Sequence, residues 1–462
     1  MTKNDLHWFP HTLDSQQPVY LAIVDAIEQD LARAVLKAGD KLPPQRQLAA
    51  RLDIDFTTVT RAYAEGKKRG LLVARVGQGT FVRGAKEDRL PENQIIDMGM
   101  NIPPLPTDKR LLDRMKRDMA QVVMRMDEQN LFGYQDFFGT FEERETAARW
   151  VGRRYDPAHA DNLLICPGTQ GTLLALLGHL GGRNMCVASE EFTYPGFKAV
   201  VEKLGVTHIG LEMDHDGIVP NAFEEACRSH NLSVLYCTPT QHNPTTTTWP
   251  SQRRREIAEI ARTYDVKIIE DDAYGFISKH APAPLSSFAP ELSYYIAGLA
   301  KSVASSLRVA FLTCPDQPLQ KEVSQALRAT SLMVSPITKA MAIDLITTGC
   351  ADLLGEAISK AARDRQKIAR EVLSDYTFRA DPNGFHIWLS LPLNWDQKDF
   401  VSRMRRQNVR LVAADDFAVS DRSVTGVRLC LGAPNSMEQA RHVLELIAEL
   451  LKKEDDYSNA IV

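Results

Sequence analysis

The sequence predicts an α/β protein in two parts: a small, mostly helical unit closed by a β-hairpin, then a large unit on a mostly parallel sheet. Three observations lead there. From about residue 95 the apolar runs LLIC (163–166), MCVA (185–188), VLYC (234–237), VKII (266–269), YYIAGL (294–299) and RVAFL (308–312) alternate with helical patterns, as strands joined by crossover helices do. The first 84 residues show instead short helical stretches and two strand-like runs meeting at a glycine turn. Charge divides at the same place: residues 1–84 carry a net +3 and the remainder −7. A small basic unit on an acidic body suits a chain in which only the small unit meets phosphates.

Composition sets the outer limits. With 462 residues, 44% hydrophobic and 25% charged, the chain reads as a globular protein of several domains. Its seven cysteines are scattered without a CxxC pair, so neither a disulfide framework nor a metal site is expected. No apolar run approaches the roughly 18 residues of a membrane span, and the start MTKNDLHWFPH lacks the apolar core of a secretion signal. The expectation is a cytoplasmic protein with no membrane partner.

In the small unit, Val19, Ile23, Ile27, Leu31 and Val35 recur every four positions, predicting a helix over 18–36 with one buried stripe, ended by Gly39. PQRQLAARL reads as a second short helix stopping at Asp53, and Asp55 is placed to cap a third from Phe56 to Arg69. Two short helices across a tight turn make a helix-turn-helix, whose second helix enters the major groove. Gly70 closes that helix, and LLVARV and TFVRG then meet at Gly77-Gln78-Gly79 as a β-hairpin wing. The order Leu42-Pro43, Arg46, Leu48-Ala49, Thr58-Val59, Ala62-Tyr63 and Gly77-Gln78-Gly79-Thr80 resembles the winged helix of the GntR family over residues 18–83. That resemblance implies binding to double-stranded operator DNA. Arg46 would grip a backbone phosphate, Thr57 and Thr58 would meet base edges, and Gln78 would place the wing. Two positions depart from the family. Phe56 stands where Arg or a small polar residue is usual and reads as a packing residue, with a thymine methyl contact as the alternative. Gly66 replaces an apolar residue, a costly choice inside a helix.

Residues 85–94 are polar, charged and without apolar period, which reads as an exposed linker between domains 1–84 and 95–462. In the large unit, ligands are expected beyond the carboxyl ends of the strands. There stand Pro167-Gly168-Thr169-Gln170 opening a helix, Asn243 beside a proline, Glu270-Asp271-Asp272-Ala273-Tyr274, and Lys301 seven residues before Arg308. A glycine turn into a helix start is a phosphate cradle. Singly, each has a bland reading: a lysine after a strand is usually a surface residue, and paired acids are usually a loop or cap.

Together and in this order they resemble the fold-type I aminotransferase superfamily, from about residue 95 to 462, with large and small subdomains. The resemblance implies pyridoxal 5'-phosphate, held as a Schiff base on Lys301, the catalytic lysine. Asp271 would face the pyridine nitrogen, Tyr274 and Asn243 the phenolic oxygen, and Tyr194 of FTYPGF would stack on the ring. Arg308, with Thr169 and Gln170, would hold the phosphate. Tyr134 of GYQDFFG would reach the partner's phosphate in a head-to-tail homodimer. Arg428 of GVRLCLGAP would clamp an effector carboxylate, a salt-bridged strand arginine being the alternative. The phosphate-binding serine usual three residues before the lysine is Gly298, so the cradle is expected to lack a hydroxyl.

A GntR-type reader on such a body is similar to the MocR subfamily. It implies a regulator that senses a small amino compound through the cofactor's aldimine, without sustained turnover, although a residual transaminase half-reaction is compatible. An active aminotransferase carrying a DNA-binding module is the alternative. A body that only dimerises is a third reading, against which the retained Lys301 argues.

Overall fold

Apolar residues spaced by four drift around a helix by about 40° per step, because a turn takes 3.6 residues. The first helix shows the consequence. It spans Val19–Ala32, shorter than the stripe predicts. Ile23 and Ile27, at the stripe's centre, are buried with Ala22 and Val24, whereas Val19 and Val35 at its ends are exposed. The next two helices form as expected. Gln45–Leu52 ends on Asp53 in the left-handed conformation, φ 53°. Phe56–Lys68 starts at Asp55, whose carboxylate accepts from the Thr57 N–H at 2.7 Å. Strands Leu72–Arg75 and Gly79–Val82 then pair antiparallel, Leu72 opposite Val82.

Gly66 is explained by that wing. It is buried on the third helix, and a Cβ there would lie 2.8 Å from Leu72 Cδ1 and 3.1 Å from Leu72 Cγ. An alanine ordinarily stabilises a helix interior by about 1 kcal/mol over glycine, but overpacking costs about 1–3 kcal/mol. Gly66→Ala is therefore expected to be neutral or destabilising by up to about 2 kcal/mol. Hydrogen exchange at the amides of Val59 and Ala62 checks this, and a clear gain in protection would show the close approach to be unimportant.

Internal contacts divide the chain into Met1–Gln94 and Ile95–Val462. The computed structural model describes residues 8–10, 17–33, 35–37, 39–75, 79–82, 95–181, 185–278, 280–420 and 425–459. Gln78, the tip of the wing and the 85–94 stretch lie outside the described residues.

The second unit is built on a seven-stranded sheet in the order Leu163–Cys166, Ala310–Thr313, Ser293–Gly298, Lys267–Asp271, Leu232–Cys237, Cys186–Glu190, Thr207–Leu211. Pairing is parallel except at Ala310–Thr313, which runs against both neighbours. Leu164, Ile296 and Leu312 join the core on one face, covered by Leu173, Phe197 and Val323. Ile165, Ala297 and Phe311 join the other, beneath Val151, Leu345 and Leu354. All six predicted strands are present. The edge strand Thr207–Leu211 escaped notice because its sequence THIGL has too little apolar content to mark it.

A smaller antiparallel sheet orders Phe378–Ala380, His386–Ser390, Gly426–Cys430 and Val412–Ala413. Its two central strands lie within the GFHIWLSLP and GVRLCLGAP segments. Among the described residues no helix is long and apolar enough to cross a membrane, and no cluster of His, Cys, Asp and Glu could hold a metal ion.

Candidate functional site

Each loop after a parallel strand emerges at one end of the large sheet. Arg308 reaches the same end because it precedes the reversed strand. There the chain encloses a cavity of about 580 Å³. Thr169, Gln170, Tyr194, Asn243, Asp271, Tyr274, Lys301, Arg308 and Arg428 all line it. Tyr134 does not; it is 77% exposed.

Strand alternation sorts the three acids of 270–272, which the sequence sent to the site together. Only Asp271 lines the cavity. Glu270 turns away and accepts from the backbone N–H groups of Leu285 and Ser286, at 3.1 and 2.7 Å. Asp272 accepts from Arg154 at 2.6 Å and from the Tyr295 hydroxyl at 2.7 Å. Asp271 Oδ2 accepts from the Tyr236 hydroxyl at 3.2 Å, and Oδ1 has no partner. Burial pushes its pKa up to about 7, against the pull of the Tyr236 bond.

Two lysines of this unit make a useful contrast. Buried Lys339 is neutralised by Glu143 at 2.7 Å. Half-buried Lys301 forms no salt bridge among the described residues; its Nζ donates to the Asn101 carbonyl oxygen. Loss of solvent brings its pKa down to about 8, and the nearby Arg428 charge adds to the effect. An amine in that range is partly uncharged near neutral pH, the form that attacks a carbonyl.

Arg428, also lining the cavity, is 4% exposed. Its Nη1 donates to Asn243 Oδ1 at 2.8 Å and its Nη2 to the Gly99 carbonyl oxygen. Nε has no partner, and the guanidinium lies 5.1 Å from the Phe417 ring centre. Arg428 has no carboxylate partner among the described residues, so the alternative of a salt-bridged strand arginine is not what the structure contains. Tyr274, also buried, accepts from Asn101 Nδ2 at 2.7 Å.

The cradle end is built by helix Gly168–Leu180. Gly168 has φ +80°, a conformation that favours glycine, and Arg308 packs directly against it, its Nη2 3.4 Å from where a Cβ would stand. Arg308 itself takes φ 51°, a strained conformation for a non-glycine residue that functional sites tend to retain. A Cβ on Gly298 would lie 3.0 Å from Thr169 Oγ1. The position expected to lack a hydroxyl does lack one, and the Thr169 hydroxyl faces that space. The Gln170 side chain donates to the Gly196 carbonyl at 2.8 Å.

In the first unit Arg46 and Thr57 are exposed and Thr58 is half-buried. The Thr57 hydroxyl donates to Asp55. Phe56, read from sequence as packing, is 43% exposed, with Arg46 5.9 Å over its ring. It sits at the head of the helix instead of in the core because Val59, Ala62 and Tyr63 already fill the inward face. Thr60 and Arg61 share the exposed face, and of these Thr60 was missed. Arg69 at the end of this helix is held by Asp25 at 2.7 Å, Glu65 at 3.3 Å and Glu28 at 3.7 Å. In the cavity the sequence missed Tyr236, inside a strand, and Asn101, which no periodic pattern marks.

A winged helix-turn-helix joined to an aminotransferase-type α/β body is the class that this fold defines. Residues 93–447 match the aminotransferase class I and II family, and residues 19–82 match the gntR family of bacterial regulatory proteins. The chain is 30% identical to the uncharacterized HTH-type transcriptional regulator YdeF of Bacillus subtilis (strain 168), over 96% of this chain and 97% of that one. It is 28% identical to the HTH-type transcriptional regulator TauR of Rhodobacter capsulatus, over 81% and 84%. Among solved structures, an archaeal alanine:glyoxylate aminotransferase superposes with a TM-score of 0.70 at 22% identity, covering 86% of this chain and 95% of the other. The chain belongs to the GntR/MocR-type transcriptional regulators, with a fold-type I aminotransferase-like domain.

Proposed function

We propose that the protein is a pyridoxal-phosphate-dependent regulator whose second unit takes a small amino compound as effector. The observation that carries this reading is the convergence of eight cavity residues around one lysine that has no carboxylate partner among the described residues, in a chain that carries a winged helix. When bound, the cofactor supplies an aldehyde for an amine and an electron-withdrawing ring. The donor set fits it, and Asp271 Oδ1, Gln170 Oε1 and Arg428 Nε are buried without partners.

Lys301 provides the amine. Asp271 would accept a hydrogen bond from the ring N–H through its unpartnered Oδ1 and keep that nitrogen protonated, while Tyr236 occupies Oδ2. Tyr274 accepts from Asn101 and so keeps its own proton to donate; Asn243 gives its oxygen to Arg428 and keeps its N–H₂. Arg308, the Thr169 hydroxyl and the helix N–H groups would hold the phosphate. Tyr194 would cover the ring, and Arg428 would hold the effector's carboxylate by paired N–H bonds. Exposed Met124, Phe132, Tyr134 and Phe141 support a head-to-tail homodimer in which a second copy covers them and receives Tyr134.

The test measures operator affinity of full-length protein, loaded with pyridoxal phosphate, with and without amines that shift its visible absorbance. A change of at least tenfold, about 1.4 kcal/mol of coupling, is expected without sustained product formation from a 2-oxo acid. The complete set of Asn243, Asp271, Tyr274, Lys301 and Arg428 favours a second reading, an active aminotransferase. Steady turnover with unchanged DNA affinity would establish that reading instead.

On the DNA side, exposed Arg46 is expected to release counterions at a phosphate, so Arg46→Ala should reduce the salt slope of operator binding by about one. Arg69→Ala should leave the slope unchanged, because Arg69 already serves Asp25, Glu65 and Glu28. Equal slopes for wild type and Arg46→Ala across a salt titration would remove Arg46 from the interface.

A further inference from the structure

We propose that Asn101 is a positioning residue of this site, and that the strip Met98–Ile102 around it senses what Lys301 and Arg428 hold; the proposal rests on the reading of the cavity as a cofactor site. Asn101 is 6% exposed. Its Nδ2 donates to the Tyr274 oxygen at 2.7 Å and lies 3.4 Å from His386 Nδ1. Its carbonyl accepts from Lys301 Nζ. Two residues earlier the Gly99 carbonyl accepts from Arg428 Nη2. On either side the strip is fastened to Cys430: the Cys430 N–H donates to the Met98 carbonyl at 3.0 Å, and the Ile102 N–H meets Cys430 Sγ at 3.3 Å. Two residues of this strip, Asn101 and Gly99, thus touch the amine that takes the cofactor, the phenol beside it and the guanidinium that takes the carboxylate, while Met98 and Ile102 anchor the strip on Cys430.

Ligand binding moves an equilibrium only through contacts that differ between its states. Both charged donors that serve the effector also serve this backbone. An amino acid that frees Lys301 and engages Arg428 acts on both donors that serve the strip, at Asn101 and at Gly99, whereas the cofactor alone acts only on Lys301. The strip lies within the first eight residues of the second unit, which begins at Ile95. It is therefore the first stretch of that unit reached along the chain from the DNA-reading one. Asn101 also fixes the direction of Tyr274, since an oxygen accepting from Nδ2 must point its own proton elsewhere.

The test uses full-length protein with two probes, pyridoxal phosphate alone and N-(5'-phosphopyridoxyl)-L-alanine, a stable adduct that carries a carboxylate and bypasses Lys301. Hydrogen exchange of the amides of residues 96–102 is expected to differ at least tenfold between the two, and operator affinity to differ with it. Asn101→Ala and the isosteric Asn101→Asp should keep the Lys301-linked absorbance, move its pH midpoint, and cut the adduct's effect on operator affinity to less than twofold. A merely structural asparagine would leave the midpoint in place. Identical exchange of the strip with both probes bound overturns the proposal, as does an Asn101→Ala protein with a wild-type midpoint and a full DNA response. Exchange is read on the wild type, so it decides the matter even where a variant fails to fold. If neither probe binds wild type, the cofactor reading itself is sunk.

Discussion

Lys301→Ala protein incubated with pyridoxal phosphate is expected to show only the absorbance of free cofactor and to retain nothing covalently after borohydride reduction. The effect is complete because, among the described residues, no second amine is placed for the task. Lys198 Nζ is engaged by the backbone oxygens of Asp416 and Ala418, and Lys339 is locked onto Glu143. Lys301 combines loss of solvent, the absence of a carboxylate partner and a pKa lowered to about 8. The cradle at Gly168–Thr169 and Arg308 is untouched by the substitution, so reversible cofactor binding should survive at reduced affinity. Peptide mapping of the reduced wild type checks the attachment point. A surviving band that maps to another lysine would overturn the assignment.

Arg428→Ala is expected to weaken the binding of amino acids to the cofactor-loaded protein by roughly thirtyfold or more. Truncating one partner of a buried, charge-assisted pair costs about 2–5 kcal/mol, and Arg428 sits 4% exposed with no protein carboxylate to share among the described residues. Amines without a carboxylate should lose far less, which separates loss of the clamp from general damage. The substitution also strips Asn243 Oδ1 and the Gly99 carbonyl of their donor, so a small shift in the cofactor's absorbance should accompany it. Arg428→Lys restores charge without the fork and should recover only part of the affinity. Titration of the visible spectrum with one amino acid and its decarboxylated amine separates the two roles; equal losses for both would argue that Arg428 is structural.

Much of this was legible in the sequence because it is local. Asp55 is a good cap wherever a helix follows, and Gly168 after a strand announces a close approach. A polar residue just past an apolar run falls at a strand end whatever the sheet's order. That rule alone placed Asp271, Asn243 and Lys301 at one cavity. It failed where the deciding residue lay inside a strand, as Tyr236 does, or in a segment without periodicity, as Asn101 does.

The sequence by itself determined the two-part division, the winged helix and six of the seven strands of the large sheet, since each rests on spacing, caps and glycine turns that act within about ten residues. The family resemblance singled out Asp271 among the three acids, but only the tertiary structure showed where Glu270 and Asp272 go instead, because side-chain alternation must be anchored to a sheet face before it means anything. It decided too that Ala310–Thr313 runs backwards, which brings Arg308 to the cradle, and that Thr169 faces the space left open at Gly298. Gly66 likewise looked like a defect until Leu72 was seen against it. These are pairings between residues far apart in the chain, and their energy comes from through-space contact, which no local pattern encodes.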